Sequence, residues 1–270
     1  MKDNKNNSFT KTNRANDYNF SLKVYFFLLV ASLLASLAII PYSSALLFQE
    51  TLAPPKSVML KAELSNFVIL TMPLSTIGLL LSPKVRLGAP HIRAILTKAP
   101  RSYRGLQSSV VLGVIWGIIC GIFVYVIDII VTPFFPPELK EIELPGVFPA
   151  LLASFSAGVN EEIWFRLGIM TCLVWLGSKL MRQTKPNKML ILSANLLAAL
   201  AFGALHLPQV SVLAKGLTLW LLVSVLGLNG IVGLVFGWLY WQYGLLSAMV
   251  AHFVTDIVIH VIPALLVNLS

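Results

Sequence analysis

The chain has 270 residues, of which 57% are hydrophobic and 11% charged, and its mean hydropathy is +0.83. A soluble domain of this length has too little interior to hide that much apolar surface, so the composition excludes one and predicts an all-α, polytopic transmembrane helical bundle. The net charge of +9 does not point to nucleic acid here, because the cations cluster between apolar runs and so set membrane topology.

Residues 1–21 are polar, rich in Asn and Lys, and read as a disordered basic cytoplasmic tail. Apolar runs follow at about 22–48, 58–82, 107–133, 148–180, 189–206, 211–228, 230–243 and 245–267. All but 230–243 are long enough for a helix to cross the hydrocarbon. Asn229-Gly230 is either a break between two helices or a kink in one, which gives seven or eight spans. The first run is too long for the apolar core of a signal peptide and is expected to be a retained signal anchor.

Lys2, Lys5, Lys11, Arg14 and Lys23 precede the first span. Lys84, Arg86, Arg93, Lys98, Arg101 and Arg104 fill one loop, and Lys179, Arg182, Lys185 and Lys188 another. These three clusters predict a multi-pass protein of the plasma (inner) membrane with a cytoplasmic amino terminus, its basic loops facing anionic headgroups. The loop with Glu138, Glu141 and Glu143 then faces out. The stretch beginning at His91 mixes Ile and Leu with Arg and Lys. It reads either as an amphipathic helix along the interface or as a solvated basic loop. Cys120 and Cys172 both fall in apolar runs and indicate neither a disulfide framework nor a cysteine metal site.

The most informative segment is SAGVNEEIWFRLGIM, where Glu161, Glu162 and Arg166 interrupt an otherwise apolar span. A charge near the bilayer centre costs roughly 3 kcal/mol on insertion scales, so three within six residues need a compensating role. Glu162 and Arg166 are four apart and share a helical face, within reach of a salt bridge. Glu161 is rotated about 100° away. The expected division makes Glu162–Arg166 a structural pair and Glu161 the free acid–base group.

Two further stretches carry polar groups. Phe202 and His206 are four apart, with Pro208 ending or kinking the helix just beyond. His252 and Asp256 share a face of the last span, and His260 continues their stripe, to support Asp256 or to lie near the membrane surface. Asp128, Lys61 and Glu63 lie near span ends, and the tryptophans are expected to pack or to form interfacial belts. Together, Glu161, His206, His252 and Asp256 supply a base for water and groups near a developing oxyanion. The same four could hold a divalent metal such as Zn with a position open for water.

EEIWFR matches an EExxxR motif, FGALH an FxxxH motif and HFVTD an HxxxN/D motif. In this order they resemble the CPBP family of CAAX proteases and bacteriocin-processing enzymes, which includes the type II CAAX prenyl endopeptidases. The resemblance covers roughly 145–265. It implies an intramembrane endopeptidase acting on a membrane-associated or prenylated substrate, with 22–144 as amino-terminal transmembrane helices and 145–267 as the catalytic bundle. It further implies that Glu161 and His206 activate water, that His252 and Asp256 stabilise the oxyanion or complete a metal site, and that Glu162 and Arg166 are structural or orient substrate. The last position is often Asn in the prenyl endopeptidases. An ionised Asp256 cannot donate to an oxyanion, and the difference shifts the expectation towards metal assistance. Two alternatives are a non-catalytic peptide-binding or bacteriocin-immunity protein of the same fold, and a proton- or ion-coupled transporter. The occupied reactive positions argue against the first, and the lack of paired repeats argues against the second.

Overall fold

A computed structural model describes residues 20–48, 54–98, 105–140, 142 and 145–267. Most of the polar tail, Arg101, Arg104, Glu141 and Glu143 lie outside these residues. Among those described, seven helices are long and apolar enough to cross a membrane: α1 (Leu22–Leu46), α2 (Lys56–Val85), α4 (Leu106–Phe134), α5 (Val147–Leu180), α6 (Lys188–Leu213), α7 (Leu219–Tyr243) and α8 (Leu245–Val267). A short helix, α3 (Pro90–Thr97), buries Ile92 and Ala94, so the stretch from His91 is helical and not a solvated loop over these residues. The protein is an all-α, integral multi-pass bundle.

The count is seven because α7 runs unbroken through Asn229-Gly230. The Asn229 amide donates to the Val225 carbonyl of its own helix, 2.9 Å away, and so satisfies itself without opening a turn. The run expected at 211–228 is instead divided near its start, where α6 ends at Leu213 and Lys215-Gly216 form the turn before α7. Within α6 the helix is interrupted at His206, between Lys188–Leu205 and Leu207–Leu213. Pro208 lacks the N–H that would continue the ladder.

Without a hydrophobic drive between helices in lipid, close packing needs small residues. α4 supplies Gly113, Gly117 and Gly121, spaced four apart on one face and all buried. A Cβ on them would stand 2.8 Å from Ser247 O, 2.6 Å from Ala251 O and 2.5 Å from Val258 Cβ, respectively. The Thr255 hydroxyl lies 3.1 Å from Gly117 O across the same seam. From the other side Gly158 of α5 lies against α8, its added Cβ 3.1 Å from Met249 O. The helix bearing His252 and Asp256 is thus clasped between two glycine faces. Sequence reading missed this G-xxx-G-xxx-G signal.

The described parts of the two basic loops lie at one end of the bundle. Leu245 N donates to Gly88 O at 2.9 Å, the Ser109 hydroxyl lies 3.3 Å from Tyr243 O, and Lys84 lies over the Trp175 ring. His252 is eight residues beyond Gly244, about 12 Å along α8 from that end at 1.5 Å per residue. The charged cluster is therefore set within the bundle.

Candidate active site

Three spans contain a wide turn closed by i→i+5 bonds: Phe67–Thr71, Ile163–Met170 and Ile257–Val261. Two of them begin immediately after Glu162 and Asp256. Such insertions re-phase a helix face and recur at functional sites. Here they follow the polar residues of α5 and α8 where the two helices meet.

Glu162 is fully buried and serves two partners. Its Oε2 lies 3.2 Å from Arg166 Nε, and its Oε1 accepts from His252 Nδ1 at 2.8 Å. Arg166 is also buried. It donates from Nη2 to Gly233 O of α7 at 3.0 Å, and its guanidinium lies 4.7 Å from the Phe202 centroid and 5.5 Å from that of Phe236. A buried cation in lipid needs its charge matched and its faces covered. Glu162 matches the charge and the two rings cover it. The salt bridge expected between Glu162 and Arg166 is present, and Glu162 also bonds the His252 imidazole.

The hydrogen bond fixes His252 chemically. Glu162 accepts, so Nδ1 carries the proton and Nε2 faces the other carboxylates. Glu161 Oε2 is 4.0 Å and Asp256 Oδ1 3.8 Å from Nε2. Both gaps are too long for direct hydrogen bonds. The Glu161 side chain is 18% exposed against 0% for Glu162, and its Oε2 has no hydrogen-bond partner. The adjacent glutamates therefore differ as the helical rotation predicts.

His206 joins less directly. Its Nδ1 lies 3.0 Å from Phe202 O, a carbonyl that must accept, so Nε2 keeps its lone pair. Its ring meets the Phe202 ring edge-on at 5.1 Å, and the same Phe202 ring meets His252 at 5.5 Å. His252 is stacked on Phe236 at 4.9 Å. Glu161, Glu162, Arg166, His252 and Asp256 thus form one continuous cluster, with His206 one aromatic ring away. His260 packs edge-on against Tyr42 of α1 at 5.9 Å, which places it among protein groups and not at a free surface. Asp128 is exposed near the end of α4 and His91 sits on α3; neither joins the cluster.

A second layer was not foreseen. Asn160 and Trp164 flank the acidic pair on α5. Trp164 Nε1 donates to Thr71 Oγ1 at 2.8 Å, and the Thr71 and Ser32 hydroxyls are 3.2 Å apart. Ser32 bonds Asn160 Oδ1, and Asn160 Nδ2 donates to Ser36 Oγ at 3.2 Å. One direction satisfies each donor: Trp164 to Thr71 to Ser32 to Asn160 to Ser36. The chain ties α1 and α2 to the turn carrying Glu161. Ser32 and Ser36, four apart in an apolar run, were the available signal.

The expected metal set is not assembled. Among the described residues no group of three or more His, Cys, Asp or Glu side chains is placed to hold a metal ion. His206 stands apart from the other three, its ring and that of His252 both meeting the Phe202 ring edge-on. The residues present do not fit a metal centre formed by Glu161, His206, His252 and Asp256.

Beside the cluster lies an apolar cavity of about 290 Å³, bordered by Phe27 of α1, Ile95 of α3, Phe155 and Gly158 of α5, and Met249 and Phe253 of α8. Gly158 is one turn before Glu162, and Met249 one turn before His252.

Residues 143–258 match the family model described as Type II CAAX prenyl endopeptidase Rce1-like. This segment carries the EEIWFR, FGALH and HFVTD motifs together with the cluster they form. Over these residues the chain is similar to the type II CAAX prenyl endopeptidases. Across this family segment, α5 to α8 bring all three motifs towards one point, while the network from Ser32 and Thr71 reaches it from outside the matched residues. No curated protein and no solved structure matches the chain.

Proposed function

We propose that this protein is an intramembrane endopeptidase that hydrolyses a peptide bond of a membrane-associated, prenylated or otherwise lipid-anchored substrate. One observation carries the reading: on a partly exposed Glu161 side chain, the Oε2 atom, sealed from solvent and without a hydrogen-bond partner, faces His252 Nε2, and Asp256 faces the same nitrogen. Water set between Glu161 and Nε2 loses a proton to the carboxylate as its oxygen attacks the scissile carbonyl. The proton then passes to the leaving amine. His206, whose Nε2 keeps a lone pair, assists as a second acceptor.

Asp256 accepts from His252 Nε2–H when that nitrogen is protonated, and so stabilises an imidazolium whose positive charge faces the oxyanion. In this role an aspartate replaces the family's frequent asparagine without having to donate itself. Glu162 and Arg166 hold the imidazole in its tautomer. The apolar cavity beside Gly158 takes the lipid or apolar portion of the substrate, one helical turn from the reacting groups.

The protein acts in the plasma membrane with its amino terminus and basic loops in the cytoplasm, against anionic headgroups. Purified protein in proteoliposomes is offered a farnesylated CAAX-type peptide and its unprenylated twin, and fragments are read by mass spectrometry. Cleavage of the prenylated peptide supports the reading. Binding without cleavage supports a non-catalytic peptide receptor instead.

A further inference from the structure

A second cavity, of about 540 Å³, opens at the basic end of the bundle, between the ends of α2 and α5. It is far along α5 from the acidic pair: Glu162 and Lys179 are 17 residues apart, about 26 Å of helix. Its lining includes Lys84, Trp175, Ser178, Lys179, Arg182 and Thr184, and no acidic side chain. Lys84 crosses from α2 to lie over the Trp175 ring, 5.5 Å from its centroid. The Trp175 indole N–H is sealed from solvent without a hydrogen-bond partner. Three cationic residues, all exposed, thus border one hollow.

Cations at the end of α5 also offset its exposed carbonyls. That accounts for Lys179, but not for Lys84 arriving from another helix, nor for the backbone at Arg182. Arg182 has φ +52°, the left-handed conformation at which glycine is the ordinary residue. Its N–H donates to Lys179 O at 3.1 Å and that of Gln183 to Ser178 O at 2.8 Å, the bonding of a Schellman cap. Arg86, Lys98 and Lys215 also take positive φ, at 60°, 51° and 52°. At each of these positions a cation stands where glycine would fold more easily. At Arg182 the cation borders a cavity.

We infer that Lys84, Lys179 and Arg182, with Trp175, form a binding site for a phosphate-bearing anion at the membrane surface. The cavity admits a phosphate with a small alcohol attached, and the spread of three cations matches a delocalised anionic group. The phosphate of an anionic phospholipid and a free phosphate share this chemistry, and the site is independent of the proposed peptidase reaction.

The full chain in detergent is titrated with phosphatidylglycerol, with phosphatidylcholine and with inorganic phosphate, and retained ligand is counted by native mass spectrometry. Phosphatidylglycerol is expected to bind and phosphatidylcholine not. Competition by millimolar inorganic phosphate identifies the free anion as sufficient; failure to compete identifies the lipid. Changing Lys84, Lys179 and Arg182 together to Gln weakens phosphatidylglycerol binding by at least about ten-fold, since each cation near an anionic surface is worth roughly five-fold. Lys188→Gln, outside the cavity, leaves binding unchanged. A second variant, Arg182→Gly, suits the backbone better, so it keeps or raises thermal stability while binding falls several-fold. Equal binding of the two phospholipids, or undiminished binding in both cavity variants, overturns the site.

Discussion

His252 donates from Nδ1 to Glu162 at 2.8 Å, and the same carboxylate lies 3.2 Å from Arg166. This relationship assigns the two neighbouring glutamates different work. Glu162 is consumed by its partners, which leaves Glu161 as the carboxylate with reach.

Loss of Glu162 should therefore act first on the fold. Glu162→Gln leaves Arg166 buried without its counter-charge, and breaking such a pair costs about 3–5 kcal/mol. Thermal unfolding in detergent should show a large loss. A double variant, Glu162→Gln with Arg166→Met, should regain much of that stability yet lose activity, because His252 Nδ1 no longer faces a charged acceptor.

Glu161→Gln should do the reverse. The side chain is partly exposed and its Oε2 bonds nothing, so unfolding should be nearly unchanged. Turnover should drop about 10²–10⁴-fold, the usual contribution of a positioned base.

Asp256 separates two roles. If it accepts from an imidazolium, Asp256→Asn should keep activity within about ten-fold while Asp256→Ala loses far more, since the amide oxygen still accepts. Because the donors do not converge on a metal position, cleavage should also survive exhaustive dialysis against a chelator. A rate that collapses on chelation and returns with zinc alone would favour the metal centre.

The glycine seam gives a structural test. Gly117→Ala places a Cβ 2.6 Å from Ala251 O, so α8 must move and carry His252 and Asp256 with it. Cleavage and thermal stability should both fall. Gly227→Ala meets nothing within 4 Å and should stabilise α7 by about 0.5–1 kcal/mol with unchanged rate.

Much of the site was legible in the sequence because its members are costly. Glu161, Glu162, Arg166, His252 and Asp256 are conspicuous in apolar runs, and i,i+4 spacing alone places Glu162 beside Arg166. What helical spacing cannot give is which helix meets which. The bond from His252 to Glu162 joins α8 to α5, 90 residues apart, and depends on glycines that are individually unremarkable. The same holds for Ser32 and Thr71, which are cheap in a membrane helix and become informative only once Asn160 is seen between α1 and α2. His206 illustrates the opposite case. Its motif is clear, yet packing puts Phe202 against both imidazoles, so the metal set that the four residues suggested does not form. The seven-span count likewise turned on Asn229, whose amide bonds within its own helix.

The most direct test compares cleavage of a farnesylated CAAX-type peptide in proteoliposomes by the unaltered protein and by Glu161→Gln, His206→Ala and His252→Ala, each confirmed folded by its unfolding temperature. The unaltered protein should release the carboxyl-terminal fragment, and each variant should release about a hundredth as much or less. Undiminished release by folded Glu161→Gln and His252→Ala proteins would contradict a hydrolytic centre at this cluster.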